Sequence, residues 1–249
     1  MKNVLKSPEP EELNNYKKRY STQFKKWNNV SNRVTLTAIR STLISDQKGI
    51  CAYCEMTIHE KLCSVEHFIP CEQSTREINY DLDWQNMLAI CLPPGAITED
   101  DLAKSELPHN SPCCGKAKDN LIPSDRLLNP LKLTTSRIFR FRSEDGEILP
   151  DEIACKQVGI PVEYAEFTIE TLRLNVQRLK ARRLAVIDEI TRELDERDDG
   201  SVSPVLLEQQ IASEHFGDGG KNYPRFFTTI RWILGEGAEK HLITISYSG

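Results

Sequence analysis

The residues best suited to chemistry cluster within positions 51–118. Glu66 and His67 are neighbours there, and Asn86 follows them. A histidine can take a proton from water near neutral pH, and a carboxylate is a hard oxygen ligand for Mg²⁺ or Mn²⁺. An asparagine amide can orient the imidazole and so fix its tautomer. The trio predicts metal-assisted hydrolysis of a phosphodiester bond, with His67 as general base, Asn86 as its orienting partner and Glu66 as metal ligand.

Adjacent strand residues point to opposite faces of a sheet. Glu66 and His67 can therefore converge on one phosphate only if the backbone bends, and Pro70 marks a nearby strand end. A structural histidine beside a surface glutamate is the simpler alternative for an isolated Glu-His pair. The surrounding cysteines and the downstream Trp-x-Asn favour the catalytic interpretation.

Cysteines of the same segment have the spacing of a structural zinc site. Seven of the eight cysteines fall between Cys51 and Cys114, and such clustering favours metal binding over scattered core thiols. The Cys-x-x-Cys pair of Cys51 and Cys54 can supply two thiolates through one tight knuckle. Cys91 follows an apolar run and is the predicted third ligand. The fourth is either Cys113 or Cys114, and we prefer Cys114 because Gly-Lys-Ala-Lys follows it.

Zinc would also explain how this segment folds. Residues 49–120 are short of large apolar side chains, whereas a zinc ion held by four thiolates contributes on the order of 10 kcal/mol or more of coupled folding free energy. We therefore predict a structural zinc ion that holds a loop-rich reaction segment rigid. Ordinary buried thiols are the alternative, and other residues of the segment compete as ligands, namely His59, Cys63 and Cys71.

Composition indicates a globular protein of a reducing compartment. The 249 residues are 39% hydrophobic and 28% charged, which is typical of globular domains. No run approaches the roughly 18 apolar residues of a membrane helix, and the first residues lack the apolar core of a signal peptide. So many cysteines would be unusual as disulfides in the cytosol. We predict a cytoplasmic protein without membrane contact.

The net charge of −5 is a mild argument against nucleic-acid binding, because phosphate contacts need Lys and Arg. Local basic clusters do occur, as at 17–19 and 178–183. A solvated helix face is the simpler interpretation of each cluster taken alone.

Periodicity predicts mostly helices around this segment. Apolar residues recur at helical spacing over five segments, which are 9–28, 32–43, 162–198, 204–215 and 224–234. Alternation about Asp145-Gly146 predicts a hairpin over 136–150, and 92–112 reads as an insertion. We predict an α+β fold with N-terminal helices over 1–48, a zinc-bound core over 49–135, and a hairpin plus helical partner-docking region over 136–249. The apolar run 226–233 is either part of that docking surface or simple core packing.

The motifs of this segment resemble those of HNH endonucleases with a zinc-bound ββα-metal core. More narrowly, they are similar to the HNH nuclease subunit of Septu-type anti-phage defence systems, including retron-associated members. The resemblance covers roughly residues 50–120 and rests on these matches: Cys51-Ala52-Tyr53-Cys54-Glu55, Val65-Glu66-His67-Phe68-Ile69-Pro70, Trp84-Gln85-Asn86, Cys91 and Cys114-Gly115-x-x-Lys118.

The resemblance implies roles for these residues. It implies that Glu66 binds a catalytic Mg²⁺ or Mn²⁺, that His67 is the general base and that Asn86 is the middle Asn of the motif. It implies structural zinc at the four cysteines and control by an ABC-type ATPase subunit. Many family members place Asn, His or an acid directly after the last zinc cysteine, where this chain has Gly115. A third ligand would then come from water or from another residue, such as His109, Asp119 or Asn120.

Three functions follow from these observations. The first is a metal-dependent endonuclease that acts as effector of an anti-phage defence system, with DNA rather than RNA as substrate. The second is an RNA-directed, for example tRNA-directed, nuclease of a retron system, because the same chemistry cleaves both polymers. The third is a zinc-stabilised binding module without catalysis, which would have no need of Glu66, His67 and Asn86.

Overall fold

The computed structural model describes residues 1–19, 26–92, 111–220 and 222–249 and combines helices with two small sheets, as the α+β prediction requires. Each sheet is one antiparallel strand pair. β1 (Cys63–His67) pairs with β2 (Met87–Cys91), and β3 (Phe139–Phe141) pairs with β4 (Ile148–Pro150). The helices of the described residues are α1 (Glu11–Arg19), α2 (Arg33–Asp46), α3 (Gly115–Lys118), α4 (Glu152–Gln157), α5 (Val162–Thr171), α6 (Gln177–Arg197), α7 (Pro204–Phe216), α8 (Phe227–Ile233) and α9 (Gly235–Thr244). None of these helices is long and apolar enough to cross a bilayer.

The sheet formed by β1 and β2 carries the predicted reaction residues. Its register sets Cys63 opposite Cys91 and His67 opposite Met87. The Gln47 side chain, at the end of α2, donates to the Ala89 carbonyl at 2.7 Å and accepts from the Ala89 amide at 2.7 Å. The Gln47 side chain thus makes the two backbone hydrogen bonds that a neighbouring strand would make with β2. These bonds anchor the sheet to α2.

The single helix predicted over 162–198 is wrong, because the chain breaks between α5 and α6. Arg173 adopts a left-handed φ of 49° there. The Asn175 side chain accepts from the Ile148 amide and donates to the Ile148 carbonyl, each at 2.9 Å. The Cys114 amide also donates to the Leu172 carbonyl at 2.9 Å. These bonds stabilise the non-helical backbone between α5 and α6. Long-range pairing therefore overrides the local helical periodicity.

Arg183 is a buried charged residue of α6. Its guanidinium is buried and donates to the carbonyls of Gly146, at 2.8 Å, and of Leu174. It thus satisfies carbonyls of the hairpin turn and of the break between α5 and α6. The predicted hairpin itself is confirmed as β3 and β4.

The apolar run 226–233 packs inside the protein. Phe226, Phe227 and Ile230 are buried in the core, while Trp232 and Ile233 are partly buried against it. Core packing is therefore correct for this run, and the idea that it forms an exposed docking surface is wrong. One continuous cluster of buried apolar residues draws members from all three predicted segments.

The predicted helix over 9–28 is described as α1 up to Arg19; residues 20–25 lie outside the described residues, as does most of the predicted insertion. α9 follows the last predicted helix, which ends at 234, and it contains Gly235 and Gly237, residues of low helix propensity. Gly237 is needed for close packing, because a Cβ there would lie 2.3 Å from the Glu208 Cβ on α7.

Candidate metal centre and reaction site

The structure brings the four predicted zinc ligands together. The Sγ atoms of Cys51, Cys54, Cys91 and Cys114 all lie within 4.8 Å of one another. Cys51 is 3.9 Å from Cys114, and Cys91 is 3.7 Å from both Cys54 and Cys114. Four thiolates at about 2.3 Å from a tetrahedral zinc ion stand about 3.8 Å apart. Both the donor chemistry and the spacing therefore fit zinc.

Three separate elements deliver these thiols. Cys51 and Cys54 lie on a tight knuckle after α2, in which the Cys51 amide donates to the Met56 carbonyl at 2.8 Å. Cys91 ends β2, and Cys114 immediately precedes α3. A single site therefore ties together parts of the chain that are far apart in sequence. It would stabilise the segment as the zinc prediction requires.

Glu55 is a key residue of the knuckle that sequence reasoning noted only as part of a motif. It adopts a left-handed φ of 61°. Its buried carboxylate accepts bonds from the amide and hydroxyl of Thr228 and pairs with the amino group of Met1 at 3.1 Å. The Glu55 carbonyl also accepts from the Phe226 amide at 2.9 Å. The knuckle is thereby fastened to the segment that leads into α8.

The competing ligands do not belong to this group of four. His59 is exposed, and Cys71 is only half-buried in a short turn. The Cys63 thiol faces the Glu60 carbonyl at 3.9 Å. Cys113 lies beside the cluster, with its Sγ 3.4 Å from that of Cys114.

His67 occupies the end of β1 in a position that defines its tautomer. Its Nε2 lies 2.9 Å from the Asp81 carbonyl oxygen. A carbonyl can only accept a hydrogen bond, so Nε2 carries the proton and Nδ1 keeps a free lone pair. Burial lowers the pKa of the imidazole, and the bond to Asp81 opposes that shift. The ring also meets Trp27 edge-on at 5.1 Å between centroids. A neutral imidazole with Nδ1 available is the form that a general base requires.

Asn86 acts on the backbone rather than on the imidazole. Its side-chain oxygen accepts from the Ile69 amide at 2.7 Å, and its nitrogen donates to the carbonyls of Ile69 and Tyr80 at 2.8 and 2.9 Å. Tyr80 precedes Asp81, whose carbonyl holds the imidazole. Asn86 therefore orients His67 indirectly, by clamping the loop that joins β1 to β2.

Glu66 lies against α3 and is already paired. Its Oε1 is 3.0 Å from the Lys118 Nζ and accepts from the Tyr53 hydroxyl at 3.4 Å. Lys118 also donates to the His67 carbonyl at 3.2 Å. Burial raises the pKa of the Glu66 carboxyl, and the charge of Lys118 opposes the shift. One buried ammonium thus links the two predicted reaction residues.

Gly115 is explained by its contact with Glu66. A Cβ at position 115 would lie 2.3 Å from the Glu66 Oε2 and 2.4 Å from the Ile90 Cδ1. A side chain directly after Cys114 would therefore require the ends of the Glu66 and Ile90 side chains to move.

The other candidates for a third ligand do not join Glu66. Asp119 and Asn120 are exposed, and Asn120 donates instead to Glu72 at 3.3 Å. His109 lies outside the described residues. Across the described parts of the chain, the four cysteines are the one group of three or more potential metal ligands. Mg²⁺ often binds through one or two carboxylates plus water and substrate phosphates. Glu66 would therefore be sufficient as the protein ligand if water and the substrate phosphate supplied the others.

We expect the pair of Glu66 and Lys118 to be strongly coupled. Lys118→Met should lower the free energy of unfolding by about 3–5 kcal/mol, because it leaves a carboxylate that is only 12% exposed without its partner. Urea unfolding without Mg²⁺ or Mn²⁺ measures this loss. The double variant Glu66→Gln/Lys118→Met should recover part of it, since neither charge remains buried alone.

Lys116→Met is the matched control for this cycle. Lys116 lies on the same helix but is exposed, so its loss should change stability by no more than about 0.5 kcal/mol. The predicted coupling would be contradicted if the double variant lost as much stability as the single variants Glu66→Gln and Lys118→Met lose together.

Comparison with known proteins agrees with the motif resemblance. No protein-family profile matches the chain. A protein of Escherichia coli named "Retron Ec83 putative HNH endonuclease" is 28% identical over 255 aligned positions, which cover 94% of this chain and 93% of that protein. The predicted resemblance to retron-associated HNH endonucleases is thus confirmed, and it extends well beyond residues 50–120. The same finding supports the prediction of a nuclease enzyme.

Proposed function

We propose that this chain is a metal-dependent HNH endonuclease that serves as effector of an anti-phage defence system. The observation that carries the proposal is His67, whose Nε2 is fixed by the Asp81 carbonyl and whose Nδ1 has no hydrogen-bond partner among the described residues. A zinc-stabilised binding module has no use for such an imidazole. β1, β2 and α3 follow one another as strand, strand and helix around it, as a ββα-metal core would.

In the proposed mechanism, the Nδ1 of His67 takes a proton from the water that attacks the scissile phosphate. Asn86 and the Asp81 carbonyl keep the imidazole in its tautomer. Lys118 bonds both the Glu66 carboxylate and the His67 carbonyl and so fixes their relative positions. Mg²⁺ or Mn²⁺ bound at Glu66 would supply positive charge that stabilises the phosphate and the leaving oxygen.

Structural zinc belongs to the same proposal. Cys51, Cys54, Cys91 and Cys114 would hold it. The knuckle that carries Cys51 and Cys54 also carries Tyr53, which contacts Glu66. The zinc ion would therefore keep the wall behind the reaction residues in place without taking part in the chemistry.

DNA is the proposed substrate, and RNA is the second candidate. Hydrolysis with a histidine base and a divalent cation does not require a 2′-hydroxyl, so it suits both polymers. The relative from a retron favours keeping RNA, including tRNA, as the alternative.

The direct test is a cleavage assay with purified protein. Plasmid DNA and total RNA are each incubated with Mg²⁺, with Mn²⁺, or without divalent cations, and with the ATPase partner present or absent. Cleavage of DNA that depends on Mg²⁺ or Mn²⁺ is the expected result. Cleavage of RNA alone would establish the second candidate. No cleavage of either polymer under any condition would favour a binding module.

We further propose that an ABC-type ATPase binds the region 136–249 and controls the nuclease. Two exposed apolar residues of this region, Leu206 on α7 and Ile243 on α9, support a contact there. Leu206 is 43% exposed and Ile243 is 77% exposed. The two helices that carry them, α7 and α9, pack closely against each other. Deleting the region would remove part of the shared core, so surface substitutions are the better test.

Leu206→Glu/Ile243→Glu should abolish co-purification with the ATPase while zinc content and thermal unfolding stay unchanged. Val34→Glu is the control, because Val34 on α2 is also exposed, at 64%, but lies outside the region 136–249. Full binding by the double variant would place the ATPase interface elsewhere.

A further inference from the structure

Asp81 makes hydrogen bonds with its side chain as well as with the carbonyl that meets His67. The carbonyl accepts from the imidazole Nε2 at 2.9 Å. The residue is buried, and both of its carboxylate oxygens accept hydrogen bonds. Oδ1 accepts from the Trp27 amide at 2.8 Å, and Oδ2 accepts from the Ser74 hydroxyl at 2.7 Å. The residue that orients the proposed general base is thus itself anchored at two points.

Trp27 brings the N-terminal region to the reaction site. It lies in a short 3₁₀ turn before α2, outside the segment 51–118 that carries the motifs. Its amide is bonded to Asp81, and its half-buried ring meets the His67 imidazole edge-on, with 5.1 Å between centroids and 68° between planes. The imidazole therefore contacts one backbone carbonyl and one indole ring, and Asp81 fixes the position of both.

Ser74 closes the loop that presents the Asp81 carbonyl. Its hydroxyl donates to the Asp81 carboxylate and accepts from the Asp81 amide at 3.2 Å, so the two ends of the loop 74–81 are bonded to each other. Burying a carboxylate is costly unless hydrogen bonds compensate, and the Trp27 amide and the Ser74 hydroxyl supply these bonds. Asp81 could move away from His67 only by breaking them.

We propose that Asp81 is a positioning residue of the nuclease reaction, whose carboxylate holds its own carbonyl and Trp27 against the imidazole of His67. The proposal rests on the catalytic role proposed above for His67. A general base must stay within hydrogen-bond reach of the proton that it takes, and a displacement of about 1 Å can slow a reaction about 10²-fold. The N-terminal region therefore takes part in the reaction through Trp27.

Steady-state kinetics of cleavage with Mn²⁺ test the role of the carboxylate. Asp81→Ala should lower kcat by about 10–100-fold and leave KM within about twofold of wild type, because it removes both anchors but no contact with substrate. Asp81→Asn should keep most of the activity, since its amide can still accept from Trp27 and can donate to Ser74. Glu77→Gln is the matched control, because Glu77 is an exposed acid of the same loop, and its kinetics should equal those of the wild type.

Nitrogen NMR of isotope-labelled histidine provides a readout that does not depend on cleavage. At a pH where the imidazole is neutral, the spectrum reports which ring nitrogen carries the proton, and the His67 signals are those missing from the His67→Ala spectrum. Wild type and Asp81→Asn should show the proton on Nε2. Asp81→Ala should show both tautomers, because the carbonyl is no longer fixed opposite Nε2. A residue that only stabilises the fold would not change this ratio.

A double variant tests the contact with the indole ring. Trp27→Ala should lower kcat by less than Asp81→Ala does. Trp27→Ala/Asp81→Ala should be slower than Asp81→Ala by no more than about twofold, because both substitutions disrupt one unit. If the effects of the two single substitutions multiplied, Trp27 would act independently of Asp81, and the proposed link through the carboxylate would be wrong.

The possible failures are distinguishable. Wild-type kcat in Asp81→Ala, or a wild-type tautomer in this variant when it is folded, would overturn the positioning role. If Asp81→Ala does not fold, Ser74→Ala replaces it, since it removes only the donor to Oδ2; a lower kcat with a second tautomer supports the role, and unchanged values overturn it. Wild-type protein that cleaves neither polymer would overturn the nuclease proposal, whereas the NMR comparison would still test how His67 is held.

Discussion

Replacing His67 with alanine is expected to lower the rate of nucleic acid cleavage by about 10²–10⁴-fold, as loss of a general base typically does. The protein should remain folded, because within the described residues the side chain makes one hydrogen bond, to the Asp81 carbonyl, and one ring contact, with Trp27. The assay is cleavage of the preferred polymer with Mn²⁺, alongside thermal unfolding of both proteins.

His59→Ala is the matched control, since His59 is an exposed histidine of the same segment. Its cleavage rate should equal that of the wild type. Asn86→Asp should cause a smaller fall than His67→Ala, because it keeps the acceptor for the Ile69 amide but loses the donors to Ile69 and Tyr80. Wild-type activity in His67→Ala would show that another group is the base.

Cys54→Ser is expected to remove zinc and unfold the segment 49–120. Zinc held by four thiolates contributes on the order of 10 kcal/mol or more of folding free energy, which is comparable to the whole stability of a typical domain. A hydroxyl is a poor zinc ligand, and Cys54 is one of the four thiols whose spacing fits zinc. Elemental analysis and circular dichroism measure the two consequences.

Cys71→Ser is the control for the loss of a thiol. Cys71 is half-buried and lies outside the four-cysteine group. This variant should keep about one zinc per chain and the wild-type spectrum. A folded Cys54→Ser protein with wild-type stability and no zinc would mean that the four thiols are ordinary core residues.

Much of the candidate site could be predicted because its signals are local. The Cys-x-x-Cys spacing, the apolar run before Cys91 and the Glu66-His67 pair before Pro70 each occupy a few consecutive residues. Their residue types restrict the chemistry to thiolate–metal binding and proton transfer. The turn at Asp145-Gly146 likewise predicted the hairpin, because turn residues act within their own few positions.

Other features depended on partners that are distant in sequence. The imidazole tautomer depends on a backbone carbonyl at Asp81, and every residue has such a carbonyl. The break before α6 depends on Asn175 reaching β4. Local periodicity cannot report either bond, because a backbone acceptor has no sequence signature.

Charge pairing inside the protein was also decided by tertiary structure. Lys118 in the sequence is one basic residue of a short motif, and only the fold brings it to Glu66 at 3.0 Å. Arg178 belonged to a basic cluster that is most simply interpreted as a solvated helix face, yet it is buried against Cys113. The sequence by itself determined which residue types are available for metal binding and catalysis. Tertiary structure decided which of them meet, because burying a charge requires a partner that long-range packing alone can supply.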